Sequence, residues 1–160
     1  MQEISINKQI RLSEHFTLGE MTKTSVKTAD GNIPSHVSIE NLRRLCGWLE
    51  MLRDEWNRRY GDGDDPIIIN SGYRSPQVNK AVGGAPGSNH LTGCAVDIRC
   101  LGKKQAIRYA CILLDIADES QEDFDELLIE KSAKSVWVHF AVKAKDNRRK
   151  IDYLKVGIVV

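Results

Sequence analysis

Apolar residues recur at three- and four-residue steps through residues 38–60. Ile39, Leu42, Leu45, Cys46, Leu49, Leu52 and Trp56 form one stripe, while Arg43, Arg44, Glu50, Arg53 and Arg58 fall mostly off it. That period predicts an amphipathic helix with a solvated charged face. A second helix is predicted over residues 103–117, with Ala106, Ile107, Ala110, Leu113, Leu114 and Ala117 inward. Cys46 and Cys111 fall on the apolar faces of these helices and read as buried thiols. Residues 16–21 read as a short helix start, because Thr17 and Glu20 have the spacing of a capping box. Ser75-Pro76 opens another brief helix, with serine as N-cap and proline at the first helical position.

The remaining apolar runs are too short for helices. Residues 66–70 and 93–99 read as strands. Residues 127–130 and 135–142 read as two more, joined by the polar turn Lys131-Ser132-Ala133-Lys134. Residues 1–15 read as an extended lead-in, residues 151–160 as an edge strand, and residues 23–36 as a loop holding a solvated His36; His15 reads the same way. The acidic run 61–65 lacks the spacing of a calcium-binding loop and reads as a turn. Helices first, then strands with a helix between them, predict an α+β fold with a small antiparallel sheet packed with helices.

Composition narrows the function classes. The 160 residues suit one domain. With 23 basic and 22 acidic residues, the formal net charge of +1 argues against a nucleic-acid binder. No apolar stretch approaches a membrane span, so no membrane segment is expected. The stretch MQEISINKQIRLSEHF has no apolar signal core, so no signal peptide is visible. The four cysteines form no CxxC pair, which disfavours a zinc ribbon.

The chemistry concentrates in three side chains. His90 and Asp97 lie in SNHLTGCAVDI, and His139 lies far downstream in SVWVHFAV. Two imidazoles and one carboxylate are a common ligand set for catalytic zinc, and three protein ligands leave a coordination position for water or substrate. Strand parity places Val136, Val138, Phe140 and Val142 on one face and Trp137, His139 and Ala141 on the other. If the hairpin closes symmetrically about Ala133, Glu126 stands opposite His139, and Glu126, Leu128 and Glu130 share its face. Gly93 and Ala95 keep the face of Asp97 free of bulk. The residues alone leave other readings open: His90 capping a loop, Asp97 paired with an arginine such as Arg99, or Cys94 and Cys100, which flank Asp97, approaching a metal.

The run SNHLTGCAVDI fits SxHxxGxAxD and resembles the signature of the zinc D-alanyl-D-alanine carboxypeptidase family (peptidase family M-fifteen, subfamily A), itself related to the hedgehog signalling domain and the D-Ala-D-Ala dipeptidases. SGYRSPQVNKAVGGAPGSNH resembles that family's lead-in, and FDELLIE with WVHFAV resembles its last-ligand block. The matching blocks span about residues 16–142. The resemblance implies a hedgehog/DD-peptidase-like fold and a single zinc peptidase domain over 1–160, with His90, Asp97 and His139 as Zn²⁺ ligands. It assigns Arg74 to the developing oxyanion or a substrate carboxylate and Ser88 to orienting the ligand loop. Tyr73 and Trp137 are expected to line the cleft.

The general base departs from the family pattern. Relatives place an acid three residues, or a histidine two residues, before the last ligand, where this chain has Val136 and Trp137. Glu130 is the expected substitute and Glu126 the runner-up. The expected function is hydrolysis of peptidoglycan stem peptides, at a D-Ala–D-Ala or an L-Ala–D-Glu-type bond, by a monomer. It is expected to act on the cell wall, as a phage or prophage lysin-like (endolysin-like) enzyme or by another export route. The alternative is a catalytically silent zinc-binding module that docks to wall peptides or a protein partner.

Overall fold

The computed structural model describes residues 5–157. In chain order the elements are α1 (Leu18–Met21), α2 (His36–Arg59), β1 (Ile69–Ser71), α3 (Pro76–Ala81), β2 (Ala95–Arg99), α4 (Lys103–Ser120), β3 (Glu126–Lys131), β4 (Val136–Ala141) and β5 (Lys150–Lys155). The strands form one sheet in the order β1-β2-β4-β3-β5, which makes the fold α+β. All neighbours are antiparallel except β3 and β5, which run parallel. The sheet is therefore mixed, not purely antiparallel. No helix among the described residues is long and apolar enough to cross a membrane.

The local signals act as expected at most helix starts. Thr17 accepts from the Glu20 amide while the Glu20 carboxylate accepts from the Thr17 amide, closing the capping box. Ser75 caps α3, with Pro76 as its first residue. The long helix starts earlier than its apolar stripe, because Ser35 supplies the cap. His36 is thus an exposed first helical residue and not part of a loop. His15 is exposed too, but its ring bonds the Glu50 carboxylate at 2.7 Å. Cys111 and Ile107 lie on the solvent side of α4, contrary to their expected burial.

Helices α2 and α4 cover one face of the sheet. Leu42, Leu45, Leu49 and Leu52 of α2 and Ile112 and Leu113 of α4 meet Val96, Ile98, Leu127, Val138 and Phe140, all essentially inaccessible to solvent. Trp48 packs against Phe140 with ring centroids 5.3 Å apart. Removing this apolar area from water is the main stabilising term. Side chains alternate across a strand, so the residues between these core positions point to the sheet's other face. Asp97, His139, Glu126 and Glu130 are among them.

The strand limits differ most from expectation in β1, β2 and β5. β1 begins at Ile69, not at residue 66, although Ile68 still accepts from the Arg99 amide. β2 begins at Ala95; Gly93 instead ends a 3-10 turn, with φ of 74°. β5 starts at Lys150, and residues 158–160 of the expected edge strand lie outside the described residues.

Candidate functional site

Two of the candidate ligands are cross-strand partners. Asp97 of β2 stands directly opposite His139 of β4 in the antiparallel ladder. Facing residues in such a ladder have Cβ atoms about 5 Å apart, so backbone hydrogen bonding alone brings these side chains into contact. The His139 Nδ1 atom lies 3.0 Å from Asp97 Oδ1.

The third candidate comes from outside the sheet. His90 sits in the 3-10 turn Asn89–Thr92, whose N-cap Ser88 accepts from the His90 amide. Its Nδ1 lies 2.7 Å from the Gly72 carbonyl oxygen, which can only accept, so Nδ1 carries the hydrogen and Nε2 keeps a lone pair. That Nε2 lies 3.4 Å from Asp97 Oδ2. Gly72 must be glycine for this contact: a Cβ there would come within 2.3 Å of the Met21 carbonyl oxygen. The Arg74 amide donates to the His90 carbonyl and ties the same two segments together.

One donor atom each from His90, Asp97 and His139 lies within 4.8 Å of the others, and all three residues are buried. The second nitrogen of each ring is engaged: His90 Nδ1 by Gly72, and His139 Nε2 by Glu126 Oε1 at 3.2 Å. Rings fixed in this way, each presenting one nitrogen toward a shared carboxylate, fit a divalent cation, and two imidazoles with a carboxylate suit zinc. Cys94 and Cys100 are free thiols outside this group.

Charge around the trio is finely divided. Burial alone would raise the Asp97 pKa, but the His139 and His90 rings beside it outweigh that and hold the carboxyl well below the usual range. Arg74 adds a bond from Nη2 to Asp97 Oδ2 at 3.2 Å, while its Nε donates to Ser71 Oγ. The arginine beside Asp97 is therefore Arg74; Arg99 donates to Asn70. Burial opposes charge on His139, yet its bonds to Asp97 and Glu126 push its pKa up to about 10. The bond to His139 holds the Glu126 carboxyl below its ordinary value. Burial pushes Glu130 up.

The hairpin register separates the two glutamates. Leu128, not Glu126, stands opposite His139, with Glu126 opposite Ala141 and Glu130 opposite Trp137. The pairing is offset by two residues from the expected one, which preserves parity. Both glutamates thus flank His139 on its own face, at different ring atoms. Glu126 meets Nε2, whereas Glu130 Oε1 lies 3.8 Å from Nδ1, the nitrogen that faces Asp97.

A cleft of about 550 Å³ opens over this face, bordered by Ser88, His139, Glu126, Leu128 and Glu130. Tyr73 does not line it: the residue is buried in the hydrophobic core, and its amide donates to Met21. Trp137 is half-buried beside Glu130 and lies outside the cleft wall. Sequence reasoning did not single out Asn89, Asp125, Lys143 and Arg148, which border the same cleft. Asn89 donates to both Asp125 and Glu126. The one available signal was Asp125, a carboxylate set between Phe124 and an apolar strand, since a buried charge needs a partner.

Residues 14–139 match the sequence profile of the family described as Peptidase M15. The chain is also similar to a zinc D-Ala-D-Ala carboxypeptidase from Streptomyces albus G, with 30% identity over 84 residues. That alignment covers 52% of this chain and 31% of the relative, so the chain spans about a third of the curated protein it matches.

Proposed function

The chain belongs to the peptidase M15 family, and from that premise we propose that it is a zinc-dependent peptidase acting on the stem peptides of peptidoglycan. The observation that carries this reading is the convergence of His90, Asp97 and His139 donor atoms within 4.8 Å, with Glu130 beside them. Zinc, when bound, supplies Lewis acidity, polarising a carbonyl and making a water acidic near neutral pH.

The chain's own residues divide the remaining work. Glu130 takes a proton from the attacking water and passes it to the leaving amine. Its place beside His139 Nδ1 and its burial-raised pKa both suit a general base working near neutrality. Glu126 accepts from His139 Nε2 and so leaves Nδ1 as the ligand atom. Ser88 caps the turn that presents His90. Arg74 spends Nε on Ser71 and Nη2 on Asp97, and its remaining donors face negative charge developing on the substrate carbonyl or a substrate carboxylate. The name of the Streptomyces relative favours cleavage of a D-Ala–D-Ala bond over an L-Ala–D-Glu-type bond.

The test is metal analysis of the purified protein, followed by mass spectrometry of products from a muropeptide digest. One zinc per chain and release of D-alanine are expected. A full complement of zinc with intact muropeptides would instead make the protein a binding module without catalysis.

A further inference from the structure

The peptidase reading leaves two cations of the cleft unused. Asp125 is completely buried and accepts from the Arg148 amide at 3.0 Å, Arg148 Nε at 3.0 Å, Arg148 Nη2 at 2.7 Å and Asn89 Nδ2 at 2.9 Å. Lys143 Nζ stands 3.3 Å from the same carboxylate. Two carboxylate oxygens offer about four acceptor sites, so Asp125 is saturated. Its single negative charge faces two positive ones. Glu126 adds a second carboxylate: its Oε2 lies 3.6 Å from Arg148 Nη2, while its Oε1 takes Asn89 and His139.

Both cations nevertheless keep part of their side chains open to solvent. The Arg148 side chain is 55% exposed although its fork is fixed on Asp125, and no described residue accepts from its Nη1. Lys143 is half-buried, and both residues border the cleft that holds His139 and Glu130. Lys143 follows His139 by four residues along β4 and its extension, roughly 13 Å at about 3.3 Å per residue. A peptide lying in the cleft covers that span with about four residues at most, and a long lysine side chain shortens it further.

We propose that Arg148 and Lys143 form a subsite for a carboxylate of the peptide substrate, set a few residues from the bond that is cut. The subsite rests on the peptidase reading for its occupant. Held by Asp125, the Arg148 guanidinium pays little ordering entropy when a carboxylate arrives, and its outward edge with the lysine ammonium forms charge-assisted bonds to it. Stem peptides offer two such groups, the C-terminal carboxylate and the α-carboxylate of the D-glutamyl residue.

Three synthetic pentapeptides with the sequence L-Ala-γ-D-Glu-L-Lys-D-Ala-D-Ala separate these sources: the free acid, the C-terminal amide and the D-Glu α-amide. Binding is measured by calorimetry on the zinc-loaded Glu130→Gln variant, and cleavage on the wild-type protein. Amidating the acid that occupies the subsite weakens binding about tenfold, read as Kd and as KM. Lys143→Gln and Arg148→Gln, each added to Glu130→Gln, shrink that difference. Lys143→Gln leaves the Asp125–Arg148 contact in place, so it carries the test if Arg148→Gln fails to fold. Equal affinity for all three peptides, no binding of any, or an unchanged preference in the Lys143 variant overturns the subsite. Discrimination in binding with no cleavage by the wild type removes the peptidase reading and keeps the subsite; cleavage without discrimination does the reverse.

Discussion

Glu126 Oε1 lies 3.2 Å from His139 Nε2, on the side of the ring away from Asp97. This contact sets which nitrogen of His139 faces the other two candidate ligands. Replacing the carboxylate frees the ring to turn and removes the charge that favours it as a donor. Glu126→Ala is expected to weaken zinc binding by about 10–100-fold, measured by competition with a chromophoric chelator. Turnover at saturating zinc should fall much less than affinity.

Glu130 shows the opposite pattern. It stands by the nitrogen that faces Asp97 and makes no hydrogen bond that would anchor His139. Glu130→Gln is expected to bind zinc normally and to lose about 10²–10⁴ in kcat, followed by D-alanine release. Full turnover in a zinc-replete Glu130→Gln protein removes this residue from the proton path.

The Asp125 contact links stability to pH. Burial raises the carboxyl's pKa, but the bonds from Arg148, Asn89 and Lys143 outweigh it and hold the group far below the ordinary carboxylate range. A depressed folded-state pKa stabilises the fold above the unfolded value of about 3.9 and loses that contribution as pH falls through the folded value. Asp125→Asn is expected to cost about 2 kcal/mol at pH 7, the scale of hydrogen bonds to a charged group. In urea titrations the gap between the two proteins narrows progressively below about pH 4. A gap of constant size from pH 7 to pH 3 contradicts the assignment.

Gly93 links the His90 turn to β2 with φ of 74°, and a Cβ there would lie 2.6 Å from the Ser38 carbonyl oxygen. Gly93→Ala meets both left-handed strain and a backbone collision. A loss of about 2–4 kcal/mol is expected by denaturant unfolding. Zinc affinity falls with it, because the displaced segment carries His90.

Much of this was legible in the residues. The stripe from Leu42 to Trp56 gave the long helix, since a single period controls which side is buried. The alternation around His139 gave its face. The expected pairing of Glu126 with His139 centres the turn between Ser132 and Ala133, and the register is off by two because the turn is centred between Ala133 and Lys134, with Ser132 and Ser135 bonded across it. Pattern reasoning fixes parity but not such an offset, so the glutamates were placed on the correct face with their partners unresolved. An edge strand is expected near β5, but its parallel direction has no signal, as its largely exposed residues carry no mark of strand direction. Arg148 was missed because its role depends on a return of the chain to Asp125 across 23 residues. Tyr73 is expected in the cleft from its neighbours in SGYRS, but its amide bonds the Met21 carbonyl and its side chain is buried in the core.

The pairing of Asp97 with His139 in the sheet has a consequence for metal exchange. Their separation is dictated by the rungs of a ladder that is complete without any ion. His90 is held from outside the sheet as well, by the Gly72 carbonyl and the Arg74 amide. Chelation is therefore expected to leave the barrier to global melting largely where it was, with the ion exchanging as cargo of an already assembled scaffold, unlike the small zinc domains that collapse when stripped.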